Sequence, residues 1–261
     1  MNSLSEASKI FNSSFDTEEY FESVNAVSTK SALVNAIVNR DTPLIFLLGE
    51  PGVGKTYMLE ILKKQFKESK KVLFSAEPFT TPESFLLFLL EDDSYTQGIT
   101  ELKKLVVQKY EGSDNLIVLD EAQLSSQIVL EFIRTLSDLN IFTFLLSMHK
   151  TDGEEVLKKS HFASRDHKTI IIGVLTKNEI KVFIQKQLQR HMLSEYDELF
   201  KEKQIKLYQK FSKGNFRVLK QLLKHTFLIM SYAKENALTK YTTPSPCVIT
   251  MAAIDLGIID A

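Results

Sequence analysis

Five short apolar runs, at residues 44–48, 71–75, 115–119, 141–146 and 169–172, are separated by longer stretches in which apolar positions recur every three or four residues. Short, predominantly apolar runs of this length mark strands buried on both faces, and the wider spacing is that of helices. Helices are expected at 55–69, 82–90, 100–110, 125–139 and, briefly, 154–158. Strands alternating with helices predict an α/β fold: a five-stranded parallel sheet, helices on both faces, each helix a crossover between strands. From Thr176 onward the spacing is helical. Thr176-Lys177-Asn178-Glu179 reads as a capping box, a hydroxyl at the N-cap with a carboxylate three residues on. It opens a helix to about His191. Further helices are expected at 194–211 and 215–234, then a polar loop with Pro244 and Pro246, then a short helix capped near Thr250. The organisation predicted is a lead-in segment at 1–43, an α/β core at 44–175 and a small all-helical domain at 176–261.

Composition narrows the class. In 261 residues, Lys and Arg number 32 against 33 Asp and Glu, and 44% of positions are hydrophobic, which excludes disorder and a dedicated polycation. Only 15 Gly and Pro are present, too few breakers for a strand-and-turn sandwich. The single cysteine, Cys247, can form no internal disulfide and no multi-thiolate zinc site, which points to a reducing, cytoplasmic setting. The start Met1-Asn2-Ser3-Leu4-Ser5-Glu6 lacks the basic and apolar regions of a signal peptide. The longest apolar run, from Phe85 to Leu90, is far short of a transmembrane segment. Charge is uneven: residues 177–225 hold 12 Lys and Arg against 5 Asp and Glu, a balance of +7 that leaves −8 elsewhere. That stretch is a solvated helix face or a surface for nucleic acid.

The chemistry concentrates in a few places. Gly49-Glu50-Pro51-Gly52-Val53-Gly54-Lys55-Thr56 matches the phosphate-binding loop pattern at every fixed position and lies between an expected strand and an expected helix, with Tyr57 in the first helical turn. Its glycines let backbone N–H groups turn toward phosphates, Lys55 reaches the β- and γ-phosphates, and Thr56 can ligand Mg²⁺. Leu116-Ile117-Val118-Leu119-Asp120-Glu121 is an apolar strand ending in two carboxylates. Asp120 is suited to hold hydrated Mg²⁺, and Glu121 to orient and activate the attacking water. Ser147-Met148-His149 follows another apolar run, where open α/β sheets bind ligands. His149, or else Ser147, is placed to hold a water beside the γ-phosphate. His161 and His167 are too isolated to suggest a metal site without further ligands. Arg165, just before the fifth run, and Arg217, at the start of a helix in the helical domain, stand outside the phosphate loop. Either guanidinium could stabilise charge at the γ-phosphate.

With these parts in this order, the chain resembles the AAA+ ATPases over essentially its full length, a P-loop NTPase core followed by a helical lid. More narrowly, it is similar to the general secretion pathway A (ExeA-type) ATPases and the mannose-sensitive-haemagglutinin pilus biogenesis ATPase. The stretches that carry the likeness are Phe15-Asp16-Thr17-Glu18-Glu19-Tyr20-Phe21, Asp120-Glu121-Ala122-Gln123, Phe162-Ala163-Ser164-Arg165, Gly173-Val174-Leu175-Thr176-Lys177-Asn178-Glu179 and Gly214-Asn215-Phe216-Arg217. The resemblance implies Lys55 and Thr56 as Walker A ligands, Asp120 and Glu121 as the Walker B pair, Arg165 as arginine finger and Arg217 as second sensor. It also places the segment from Phe11 to Tyr20 near the adenine. It implies ATP and Mg²⁺ as cofactors, an ATP-dependent homo-oligomer, and ATP hydrolysis that drives or switches an envelope, secretion or pilus-type machine. The family tends to carry Gly-Gln-Pro where this chain has Ser147-Met148-His149. Secretion-type relatives continue into a membrane helix, so an envelope role here calls for a membrane-associated partner in trans. Two other roles suit the same motifs: an ATP-dependent helper acting on DNA, of the transposition-targeting or replication-initiator type, and a nucleotide-gated scaffold that does not hydrolyse. Intact Lys55, Asp120, Glu121 and Arg165 speak against the scaffold.

Overall fold

The structure, a computed structural model, describes residues 3–11, 20–159, 162 and 166–260. The chain divides into two compact units, one made of Ala26–Ile172 and the other of the residues up to Asn25 together with those from Gly173 on.

The first unit is the α/β unit. Its strands are β1 (Leu44–Gly49), β2 (Lys71–Ser75), β3 (Asn115–Leu119), β4 (Phe142–His149) and β5 (His167–Ile171), in the order β2-β3-β4-β1-β5, every pairing parallel. The inner strands are apolar because both their faces are covered; β1 and β3 are buried at every position. The edge strands β2 and β5 are each buried at one residue only. Around the sheet lie most of α2 (Val24–Asn39), then α3 (Lys55–Phe66), α4 (Pro82–Leu90), α5 (Ile99–Tyr110), α6 (Gln127–Ser137) and α7 (Lys150–Lys158). Helix starts follow local chemistry. Thr81 caps α4 in a capping box with Ser84, with Pro82 in the first turn, and Ser126 caps α6.

Two expectations change here. The strand foreseen at 141–146 runs on through Ser147 and Met148 to His149, paired in register with β1 (Leu47 with Ser147, Gly49 with His149). Polar side chains do not end a strand whose backbone ladder still has a partner. The short helix foreseen at 154–158 begins four residues earlier, at Lys150. Asp152-Gly153 looks like a turn in sequence, yet Gly153 is buried in the helix and serves for close packing: a Cβ there would lie 2.3 Å from Leu48 Cδ2 on β1.

The second unit is helical: α1 (Ser3–Lys9), α8 (Lys177–Arg190), α9 (Glu202–Ser212), α10 (Phe216–Glu235) and α11 (Pro246–Asp255). The capping box at Thr176 and Glu179 forms as its sequence requires, and Asn215 caps α10. The single helix expected at 194–211 is instead a 3-10 stretch, Ser194–Leu199, followed by α9; buried Phe200 sits between them out of helical conformation. The cap of the last helix is Ser245, with Pro246 in the first turn, rather than Thr250. Among its described residues, the expected lead-in 1–43 includes α1 and α2, and its part up to Asn25 belongs to the helical unit, where Phe11 stacks on Phe227 at 5.7 Å and Phe21 lies edge-on to Phe183 at 5.4 Å.

Candidate functional site

The site is built at the ends of β1, β3 and β4. After β1 the chain turns through Gly52 (φ 82°) and Gly54 (φ 103°), left-handed conformations that favour glycine, and Gly54 is the N-cap of α3. The loop therefore leads straight into a helix N-terminus, whose unpaired N–H groups and positive dipole end favour an anion. Lys55 opens α3 and is 4% exposed; its Nζ donates to the carbonyls of Gly49 (3.0 Å) and Glu50 (3.3 Å), so its charge is held within the loop. Next to it, the Thr56 hydroxyl donates to Asp120 Oδ2 at 2.6 Å.

Asp120 follows β3. It is 4% exposed, its N–H donates to Ser75 O, and its Oδ1 accepts the N–H of Glu121 at 3.0 Å. Glu121 is left-handed (φ 48°, ψ 39°). For a non-glycine residue that costs on the order of 1–3 kcal/mol and points to a constraint held by its surroundings. The surroundings are on hand: Gln123 Nε2 donates to Glu121 Oε2, and His149 Nε2 lies 3.0 Å from the same oxygen. The other ring nitrogen of His149, Nδ1, lies 3.4 Å from Asp152 Oδ2. Ser147 is fully buried in β4, and its hydroxyl has no hydrogen-bond partner among the described residues.

The structure thus brings Thr56, Asp120, Glu121 and His149 into one linked array, to which Gln123 and Asp152 also belong, with Lys55 beside Thr56 at the start of α3. Two members had no role in the sequence reading, Gln123 and Asp152. The signal for Asp152 was its place three residues after His149 at a helix start, where one turn brings i and i+3 together. Arg217 lies in the first turn of α10, in the helical unit. Arg165, His161 and residues 12–19 lie outside the described residues, so the finger position and most of the adenine segment do too.

These residues fit Mg-ATP. A hydroxyl and a carboxylate that already meet are the hard oxygen donors such a cation takes, and two left-handed glycines shape the loop ahead of a helix N-terminus for phosphates.

The family model described as an AAA domain matches residues 38–157. No curated protein matches the sequence. Among solved structures, the chain is similar to Cdc6p of Pyrobaculum aerophilum, at 14% identity and a TM-score of 0.62, with 88% of this chain and 66% of that one covered. It is similar to the RuvB Holliday junction branch migration motor of Thermotoga maritima at 17% identity and a TM-score of 0.56, covering 95% and 72%. A Walker-type ATPase of Pyrococcus abyssi aligns at 15% identity and a TM-score of 0.58, covering 88% and 78%. What is shared at such identities is the fold: the five-stranded parallel sheet with its helices, and the helical region after it, form an AAA+ P-loop NTPase fold.

Proposed function

We propose that this chain binds Mg-ATP at the β1–α3 loop and hydrolyses it, acting as an ATP-driven motor or switch. The observation that carries the proposal is the contact between Thr56 and Asp120 at 2.6 Å, with Glu121 adjoining. Thr56 and Asp120 are the residues to hold Mg²⁺, Gly49 to Thr56 the residues to hold the phosphates, with Tyr57 beside them in α3. When bound, Mg-ATP supplies the transferable phosphoryl group and a cation that neutralises its developing charge. Lys55 gives up backbone carbonyls for phosphate oxygens. Glu121 accepts the proton of the attacking water, and His149, or Ser147 in β4, helps to orient that water. Lys55→Ala should therefore lose nucleotide affinity, whereas Glu121→Gln, of the same shape, should bind ATP and leave it intact. Titration with a fluorescent nucleotide tests both, and equal loss of binding in the two variants would overturn the assignment.

The finer parts rest on the motif resemblance. Residues 44–175 are read as the nucleotide-binding core, 176–261 as a lid carrying Arg217 as second sensor, and Arg165 as a finger that serves the ATP of another subunit in a homo-oligomer. Turnover per subunit should then rise with protein concentration, and Arg165→Ala mixed with Lys55→Ala should regain activity that neither has alone. Activity independent of concentration in a monomer would sink the shared site.

For the client, the ExeA-type and pilus-type motifs favour an envelope or secretion machine reached through a membrane-associated partner from the cytoplasmic side; no helix among the described residues is long and apolar enough to cross a membrane. A second reading, a DNA-associated ATPase, is favoured by the +7 balance of residues 177–225 and by the likeness to a branch migration motor. Duplex DNA titrated at increasing salt separates them: nanomolar binding with a steep salt slope supports the second.

A further inference from the structure

We propose that Asp152 is a positioning residue for ATP hydrolysis, acting through the imidazole of His149 on the carboxylate of Glu121. The proposal rests on the reading of Glu121 as the residue that activates water. Its basis is a run of three side chains from three elements. Asp152, in the first turn of α7, lies 3.4 Å from Nδ1 of His149 at the end of β4, and Nε2 of that ring lies 3.0 Å from Glu121 beyond β3. A carboxylate at Nδ1 fixes the plane of the ring and so the direction in which Nε2 points. With Asp152 on Nδ1, Nε2 is the atom that faces Glu121.

The fold makes this placement firm. His149 is the N-cap of α7, so ring and carboxylate are one helical turn apart, and its side chain caps no backbone N–H, which leaves both nitrogens for the two acids. Helix α7 sits directly on β1, because Gly153, next to Asp152, has only hydrogen where a Cβ would meet Leu48. Glu121 needs external support, since its left-handed backbone is intrinsically unfavourable and Oε2 is also held by Gln123. The three side chains are each about one-third to one-half exposed, so the pairs add little to stability, and their effect falls on orientation.

The plain alternative is that Asp152 only favours the α7 N-terminus as an early-turn acid. Asp152→Asn distinguishes the two. Expected for the proposal is a fall in kcat of roughly 10- to 100-fold, with KM for ATP changed by no more than about twofold, and recovery of most of the loss in Asp152→Glu. A second readout needs no turnover: ¹⁵N resonances of the His149 ring in nucleotide-free protein, identified by their absence in His149→Gln, should move in Asp152→Asn. Unmoved ring resonances, or a kcat equal to wild type, overturn the proposal. Wild-type protein that binds no ATP overturns the ATPase reading instead, and the ring resonances then still decide whether Asp152 sets the imidazole.

Discussion

Thr56 and Asp120 meet in a single short hydrogen bond, which makes Thr56 the most specific probe of the metal role. Removing its hydroxyl leaves the loop backbone and Lys55 in place. Thr56→Ala should lower nucleotide affinity roughly tenfold with Mg²⁺ present, the cost of about one ligand, and change it little in EDTA. A titration that shows equal loss in both conditions would remove Thr56 from the metal site. Glu179 carries a different residue-scale consequence. Burial raises its carboxyl, but the Thr176 N–H and hydroxyl and the backbone N–H groups of Asn25 and Val24 lower it more, so it lies below the ordinary carboxylate range. A depressed carboxyl contributes stability that is present above its unfolded value and is lost as pH falls through the folded one. The helical unit should therefore weaken as pH falls through and below the ordinary carboxylate range, and Glu179→Gln should flatten that dependence in acid unfolding followed by circular dichroism. Of these residues, the phosphate loop and the Asp120-Glu121 pair were legible in sequence because each is contiguous and its chemistry depends on neighbours in the chain. Asp152 was not, since its meaning depends on where β4 ends and α7 begins.

At the scale of elements, that boundary is where sequence pattern and structure part. Periodicity placed β1 and β3 within a residue, as apolar runs buried on both faces allow, but ended β4 before Ser147 and delayed α7 by a turn. Backbone pairing of β4 with β1 and the packing of Gly153 on Leu48 are tertiary facts with no local signature. The split of the helix expected at 194–211 has the same origin: Phe200 leaves helical geometry to reach the core, where it packs at 5.9 Å from both Tyr208 and Phe227. Gly153→Ala tests the α7 contact. Helix propensity alone would make the protein more stable by about 1 kcal/mol, whereas a methyl driven into buried Leu48 costs roughly 1–3 kcal/mol. The steric effect should win, with a lower Tm in thermal unfolding; a raised Tm would mean that α7 is not seated as described.

For the whole molecule, the division into an α/β part and a helical part was visible from the change of period after Gly173, but the sharing of the first 25 residues with the helical part was not. Pairings between Phe11 and Phe227 or Phe21 and Phe183 join positions far apart in sequence, and no periodicity reports them. Phe11 is 1% exposed, so Phe11→Ala should destabilise the protein by roughly 3–5 kcal/mol, read from urea unfolding; a change below about 1 kcal/mol would show that the Phe11 side chain is not part of the core. The helical unit is therefore interrupted in sequence by all of Ala26–Ile172. On a ribosome this sets an order of events. The segment with Phe11 and Phe21 emerges first, yet its partners on α8 and α10 follow only after the whole α/β unit has been made, on the order of ten seconds later at roughly 5–20 residues per second. During that interval the nascent chain exposes aromatic side chains with no core to enter, while the α/β unit, contiguous in sequence, can complete itself.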